Sequence, residues 1–139
     1  MAAAKDAVVI ILDVGPSMCQ ALAGHSTSLE VSVKAINMII QRKVHVCVAV
    51  SLQQPCTLLG TILLQAVKFF FILLFTGGVE TDFIDAIVVG MDLLREQTKG
   101  KKCEKKMYLF SDLGSPFGND QLEAIIDGLK EMEIHMTLM

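Results

Sequence analysis

Hydrophobic and polar positions along this chain follow two rhythms that alternate. Val8, Val9, Ile10 and Ile11 form an almost unbroken β-branched run, the pattern of a strand covered on both faces rather than one with a wet side. The run stops on Asp13 and a Val-Gly-Pro-Ser17 turn. Met18 to Thr27 reads as a loop, with Ser26 or Ser28 as the candidate helix cap. Leu29, Val33, Ile36 and Ile40 then recur at helical spacing, which predicts an amphipathic helix ending near Gln41-Arg-Lys43. Its cationic last turn suits the helix dipole.

The rhythm returns after residue 78. Phe83, Ile87, Met91 and Leu94, flanked by Ile84 and Val88, predict a second helix through about Gln97. Thr81 or Asp82 stands at its N-cap position. Met107-Tyr-Leu-Phe-Ser-Asp112 is another short apolar run ending on a carboxylate, followed by Leu-Gly-Ser115. Asn119 or Asp120 opens a third helix, whose face is Leu122, Ile125, Ile126 and Leu129, with Asp120 and Glu123 at capping-box spacing. Ile134 to Leu138 closes the chain as a short strand, with His135 as a surface position. Alternation of this kind predicts an α/β fold, a mostly parallel sheet wound with helices on both faces.

The middle departs from both rhythms. Val44 to Val50 alternates well enough for a strand, and its His45 reads as a strand-face residue. Leu58 to Phe75 is then nearly all apolar. Eighteen such residues reach the lower length limit of a membrane-spanning helix. Gln65 and Lys68 lie inside the run, and a central lysine costs about 2.5–3.5 kcal/mol on insertion scales. A buried helix or strand is therefore the favoured expectation, and a membrane partner is not expected.

Composition narrows the picture. At 139 residues the chain has room for one domain with a core. Hydrophobic residues make up 53%, an excess owed to the middle segment, and the net charge of −3 makes the whole chain no electrostatic match for duplex DNA. Cys19, Cys47, Cys56 and Cys103 form no C-x-x-C pair, so neither a zinc site nor a disulfide framework is indicated. The N-terminal residues lack the pattern of a secretory signal, so an intracellular protein is expected.

The candidate chemistry lies at the two strand ends. In an open parallel sheet, ligands gather beyond the carboxyl ends of the strands. If the strands ending at Asp13 and Asp112 are neighbours, their carboxylates and nearby hydroxyls supply hard oxygen ligands of the kind Mg²⁺ takes. The plainer role for each is turn capping. Thr81 is a further oxygen donor if it faces the Asp13 turn. Lys99, Lys101, Lys102, Lys105 and Lys106 form a basic cluster, readable as a phosphate-binding or import patch or as a solvated connector. Two other functions stand beside a binding role. One is metal-dependent phosphoryl transfer or hydrolysis with Asp13 as nucleophile and Asp112 on Mg²⁺, for which no second acid or general base is evident. The other is a membrane-anchored fragment organised by Leu58 to Phe75.

Asp13-Val-Gly-Pro-Ser-Met18, Ile39-Ile-Gln-Arg-Lys43, Thr81 to Asp92, Gly100 to Lys106 and Phe110-Ser-Asp-Leu113 together closely resemble the N-terminal domain of the Ku large subunit. That domain is of the von Willebrand factor A type, a doubly wound, Rossmann-like α/β fold. The resemblance implies a non-enzymatic, nuclear protein without cofactors that pairs with the small Ku subunit and recruits end-joining factors at double-strand breaks. Telomere maintenance belongs to the same picture. The ring that encircles DNA ends lies, in that family, beyond this domain. Adhesion-type relatives of the fold hold Mg²⁺ through an Asp-x-Ser-x-Ser turn, a threonine and a second aspartate. Asp13, Ser17, Thr81 and Asp112 match those positions, but Gly15 replaces the first serine, so no tightly held metal is expected. The resemblance lapses between about Val44 and Gly77, and the chain stops where such a domain would continue. Residues 1–139 are thus expected to be one variant or partial domain with a replaced apolar segment at about 44–77 and an incomplete sheet.

Overall fold

A computed structural model describes residues 6–43, 69–75, 83–99, 102–114 and 121–139. In chain order the elements are β1 (Asp6–Asp13), a 3-10 turn (Pro16–Cys19), α1 (Ser28–Lys43), β2 (Phe69–Phe75), α2 (Phe83–Thr98), β3 (Glu104–Phe110), α3 (Leu122–Glu131) and β4 (Ile134–Leu138). The described strands form one sheet in the order β2-β1-β3-β4, and every pairing is parallel. This is the expected α/β architecture, doubly wound and of the von Willebrand factor A-like or Rossmann-like kind.

The β-branched run decides where β1 goes. Ala7 through Ile11 are wholly buried, which requires a neighbour on each edge and a layer on each face. Val9 and Ile11 pack with Ile87 and Leu94 of α2, Ile125 of α3 and Met107 and Leu109 of β3. Val8, Ile10 and Leu12 face the other way, onto Ile36 and Ile40 of α1 and Phe110. Burying a side chain of this size contributes about 1.5–3 kcal/mol, so this one strand anchors both cores. α2 lies especially close to the sheet at Gly90, where a Cβ would stand 2.9 Å from Met107 Cε and 3.3 Å from both Ile11 Cδ1 and Val9 Cγ1.

The end of the apolar run, Phe69 to Phe75, is a strand paired with β1 from Ala7↔Phe69 to Asp13↔Phe75. A single membrane-spanning helix over Leu58–Phe75 is therefore not what the chain forms. Leu73 is buried in the core, and the pairing satisfies the hydrogen bonds along that edge of β1. Among the described residues no helix is long and apolar enough to cross a membrane. Residues 44–68, which include the expected strand at Val44–Val50, lie outside the described residues.

Three local expectations are refined. The cap of α1 is Thr27, not Ser26 or Ser28: Glu30 N–H donates to Thr27 Oγ1 at 3.1 Å, and Thr27 N–H donates to Glu30 Oε2 at 3.2 Å. This reciprocal capping box is encoded by Thr27-x-x-Glu30. Val88 and Ile126, grouped by spacing with the buried faces of α2 and α3, are substantially exposed. β3 begins at Glu104 rather than Met107, because both lysines of that strand find partners. Lys105 Nζ donates to Met132 O beyond the end of α3 at 2.7 Å. Lys106 Nζ lies 3.1 Å from Asp6 Oδ2 and 2.9 Å from Glu104 Oε2.

Hydrogen bonding to Glu104, then to Asp6, raises the Lys106 pKa above the ordinary lysine value, outweighing desolvation. The folded chain thus holds this proton more tightly than the unfolded chain. The resulting stabilisation is complete below the unfolded value of about 10.4 and is lost as pH rises through the folded one. Lys106→Met is expected to cost about 1 kcal/mol at neutral pH, as partly exposed ion pairs do. In urea unfolding from about pH 8 to about pH 11, its gap to the parent should narrow at the alkaline end; a gap that widens there would contradict this account.

Candidate functional site

Register brings the two carboxylate turns together. β1 and β3 are neighbours, with Leu12 beside Phe110, so Asp13 and Ser111 leave the sheet side by side at its carboxyl end. Asp13 is 1% exposed. Its Oδ1 accepts the Gly15 N–H at 2.8 Å, and its Oδ2 accepts the Ser111 hydroxyl at 2.8 Å. Asp112 is exposed, and its Oδ1 accepts the Ser17 hydroxyl at 3.1 Å and the Gly114 N–H at 3.0 Å. Each turn therefore contributes one carboxylate that folds its own backbone and one hydroxyl that satisfies the other turn's carboxylate. The two turns are cross-stitched.

Local sequence explains the geometry. Pro16 fixes the first residue of the 3-10 turn, which carries Ser17 back toward the β3 turn and buries Met18. On the other side, Leu113 adopts φ 53°, a left-handed conformation that costs a leucine about 1–2 kcal/mol. Its N–H donates to Ser111 Oγ at 3.0 Å, so the hydroxyl that caps Asp13 also holds this strained turn. A Cβ on Gly114 would meet Asp112 Oδ1 and Ser17 Oγ, both at 3.1 Å, so the close fit leaves that position little room.

Chemically, the arrangement holds two turns more readily than it offers convergent lone pairs. Both oxygens of Asp13 accept hydrogen bonds, and Ser17 donates to the other carboxylate. Among the described residues no cluster of three or more His, Cys, Asp or Glu side chains is placed to hold a metal. Thr81 lies outside the described residues. Of the basic cluster, Lys99 and Lys102 are exposed, Lys105 and Lys106 are engaged as described, and Lys101 is outside the described residues.

Ser111 is the site residue that motif matching did not single out. Its signal was present: Asp13 with Ser17, and Ser111 with Asp112, are mirror pairs whose hydroxyls exchange partners once the strands adjoin. Ser111→Ala leaves a buried carboxylate short of a donor and is expected to cost about 2 kcal/mol; Ser17→Ala, at an exposed bond, about 0.5 kcal/mol. Urea unfolding of both variants measures the difference, and equal costs would show that burial does not distinguish the two bonds.

No protein-family model matches the chain. Individual relatives do. X-ray repair cross-complementing protein 5 of Xenopus laevis is 34% identical over 158 residues, which cover 95% of this chain and 21% of that protein. The protein of the same name from Dictyostelium discoideum is 22% identical over 167 residues, covering 97% of this chain and 20% of its own length. The chain thus spans about one fifth of the curated relatives it matches. Both matches run through the two carboxylate turns and the helices between them, and they support the Ku resemblance read from the motifs: over nearly its whole length, the chain is related to X-ray repair cross-complementing protein 5, Ku80.

Proposed function

We propose that this chain is a Ku-type DNA repair domain, non-enzymatic and nuclear, that acts in double-strand break repair by non-homologous end joining. It pairs with the small Ku subunit and presents a docking surface to end-joining proteins, while DNA ends are held by regions outside it. The observation that carries this reading is the 34% identity over 95% of the chain. The acidic net charge of −3 agrees with a minor direct role in holding DNA.

In this reading residues 1–139 are a single A-type domain whose segment at about 44–77 replaces the family's own. The frog match runs over 158 residues against a chain of 139, so that relative carries residues with no counterpart here. The altered middle supplies β2 as a makeshift neighbour for β1. Co-purification with the small Ku subunit tests the function, beside a version in which the relative's middle segment is restored. Capture of both versions is expected; capture of neither would overturn the proposal, and capture of the restored version alone would limit it to the unaltered domain.

The carboxylate turns serve this function as fold elements without a resident metal. Asp13 is buried with both oxygens engaged, which also removes it as a nucleophile. Calorimetric titration with Mg²⁺ and Mn²⁺ should give no saturable heat in the micromolar range; a saturable isotherm abolished by Asp112→Asn would return the site to metal chemistry.

A further inference from the structure

Among the described residues, Leu113 and Glu133 are the non-glycine positions with a positive φ, each at 53°. Glu133 follows the end of α3, where a left-handed residue commonly closes a helix, and its N–H returns to Lys130 O at 3.0 Å. Leu113 has no helix to close. Its side chain stays 38% exposed, so apolar burial offsets little of the strain.

Hydrogen bonds hold Leu113 instead. Its N–H donates to Ser111 Oγ at 3.0 Å, and the next amide, Gly114 N–H, donates to Asp112 Oδ1 at 3.0 Å. Ser111 is itself fixed: its N–H donates to Met139 O at 3.3 Å, and its hydroxyl proton is committed to Asp13 Oδ2 at 2.8 Å. With the proton aimed at Asp13, the lone pairs of Oγ are left for Leu113. The left-handed residue is thus held by a hydroxyl whose direction the neighbouring turn sets.

The turn after β1 meets the same atoms. Ser17 donates to Asp112 Oδ1 at 3.1 Å, the oxygen that also receives Gly114 N–H. A Cβ on Gly114 would stand 3.1 Å from Ser17 Oγ and 3.3 Å from Ser17 Cβ, so the Gly114 backbone lies directly against Ser17. If Leu113 returns to a negative φ, the chain beyond it swings and Gly114 leaves this contact. Ser17 belongs to the 3-10 turn in which Met18 N–H donates to Gly15 O at 3.1 Å and Gln20 N–H to Ser17 O at 3.2 Å. A displacement at Gly114 therefore reaches the amides of the other turn.

We propose that residues 111–114 form a strained latch with two positions, held in the left-handed one by the Ser111 hydroxyl, whose release loosens the turn after β1. The two states are the left-handed and the relaxed Leu113. A molecule that draws either turn out of place biases the other, and the coupling runs equally in both directions. The carboxyl end of the sheet, where ligands of such folds gather, thereby has a means of passing an event at one turn to the next. The latch depends on the turn geometry alone and stands apart from the DNA repair assignment.

Amide hydrogen exchange of the full chain, read by NMR, tests the latch. Leu113→Val places a β-branched side chain where positive φ is most strained, and exchange should quicken by about tenfold at residue 113, at Gly114 and, across the two turns, at Gln20. Leu113→Asn, with a side chain that tolerates the left-handed region, should slow the same amides. Ile10, deep in β1, should exchange as in the parent in both variants, which separates the latch from global unfolding. Ser17→Ala should in turn quicken Gly114. Valine and asparagine shifting the rates in the same direction would remove strain as the source. Gln20 indifferent to Leu113→Val, Gly114 indifferent to Ser17→Ala, or Ile10 moving in step with Gly114 would each overturn the proposal.

Discussion

A strand with no wet face must be surrounded before it can be stable, and β1 imposes that requirement on the rest of the chain. Its side chains point alternately into two cores, so α1 must come from one side and α2 with α3 from the other. Its backbone needs partners on both edges, so β2 and β3 must flank it. The burial is also what makes Asp13 consequential. The carboxylate sits at the end of the most enclosed strand, where an unsatisfied acceptor is expensive, and the surrounding turns are shaped to supply donors.

The same constraint explains why turns that resemble a ligand site behave as a fastening. A metal site needs oxygen atoms whose lone pairs converge on an empty point. Here the Ser111 and Ser17 hydroxyls donate to the carboxylates of the opposite turns, which ties the two turns to each other. The bond from residue 15 to Asp13 comes from the backbone N–H, which any residue but proline would supply there; glycine at that position differs from serine only in bringing no side-chain oxygen to the turn.

Much of the fold was legible because the periodicities were strong. The β-branched run of β1 and the four-residue and three-residue spacings of α1 placed those elements almost where they lie, and Ile134–Leu138 matched β4. What escaped depended on contacts distant in sequence. Glu104 to Lys106 read as a basic connector because nothing nearby predicts that Asp6 and Met132 O will receive its lysines. Phe69–Phe75 read equally as helix or strand because a wholly apolar run carries no period. At the site, both carboxylates and Ser17 were visible in the motifs, whereas the role of Ser111 depended on β1 and β3 becoming neighbours.

The close approach at Gly90 has a counterpart between the two helices that share that face of the sheet. There Gly128 of α3 would place a Cβ 2.7 Å from Met91 Cε. The distances from sheet to α2 and from α2 to α3 are thus both set by a missing side chain into which a methionine reaches. Methionine is unbranched and adaptable, so each contact behaves as a cushioned stop. Added atoms at Gly90 would push α2 off the sheet and at Gly128 would push α3 off α2, while neither contact has much room to close further. Both stops lie on one face of the sheet, and α1, which packs on the far face, is held by neither.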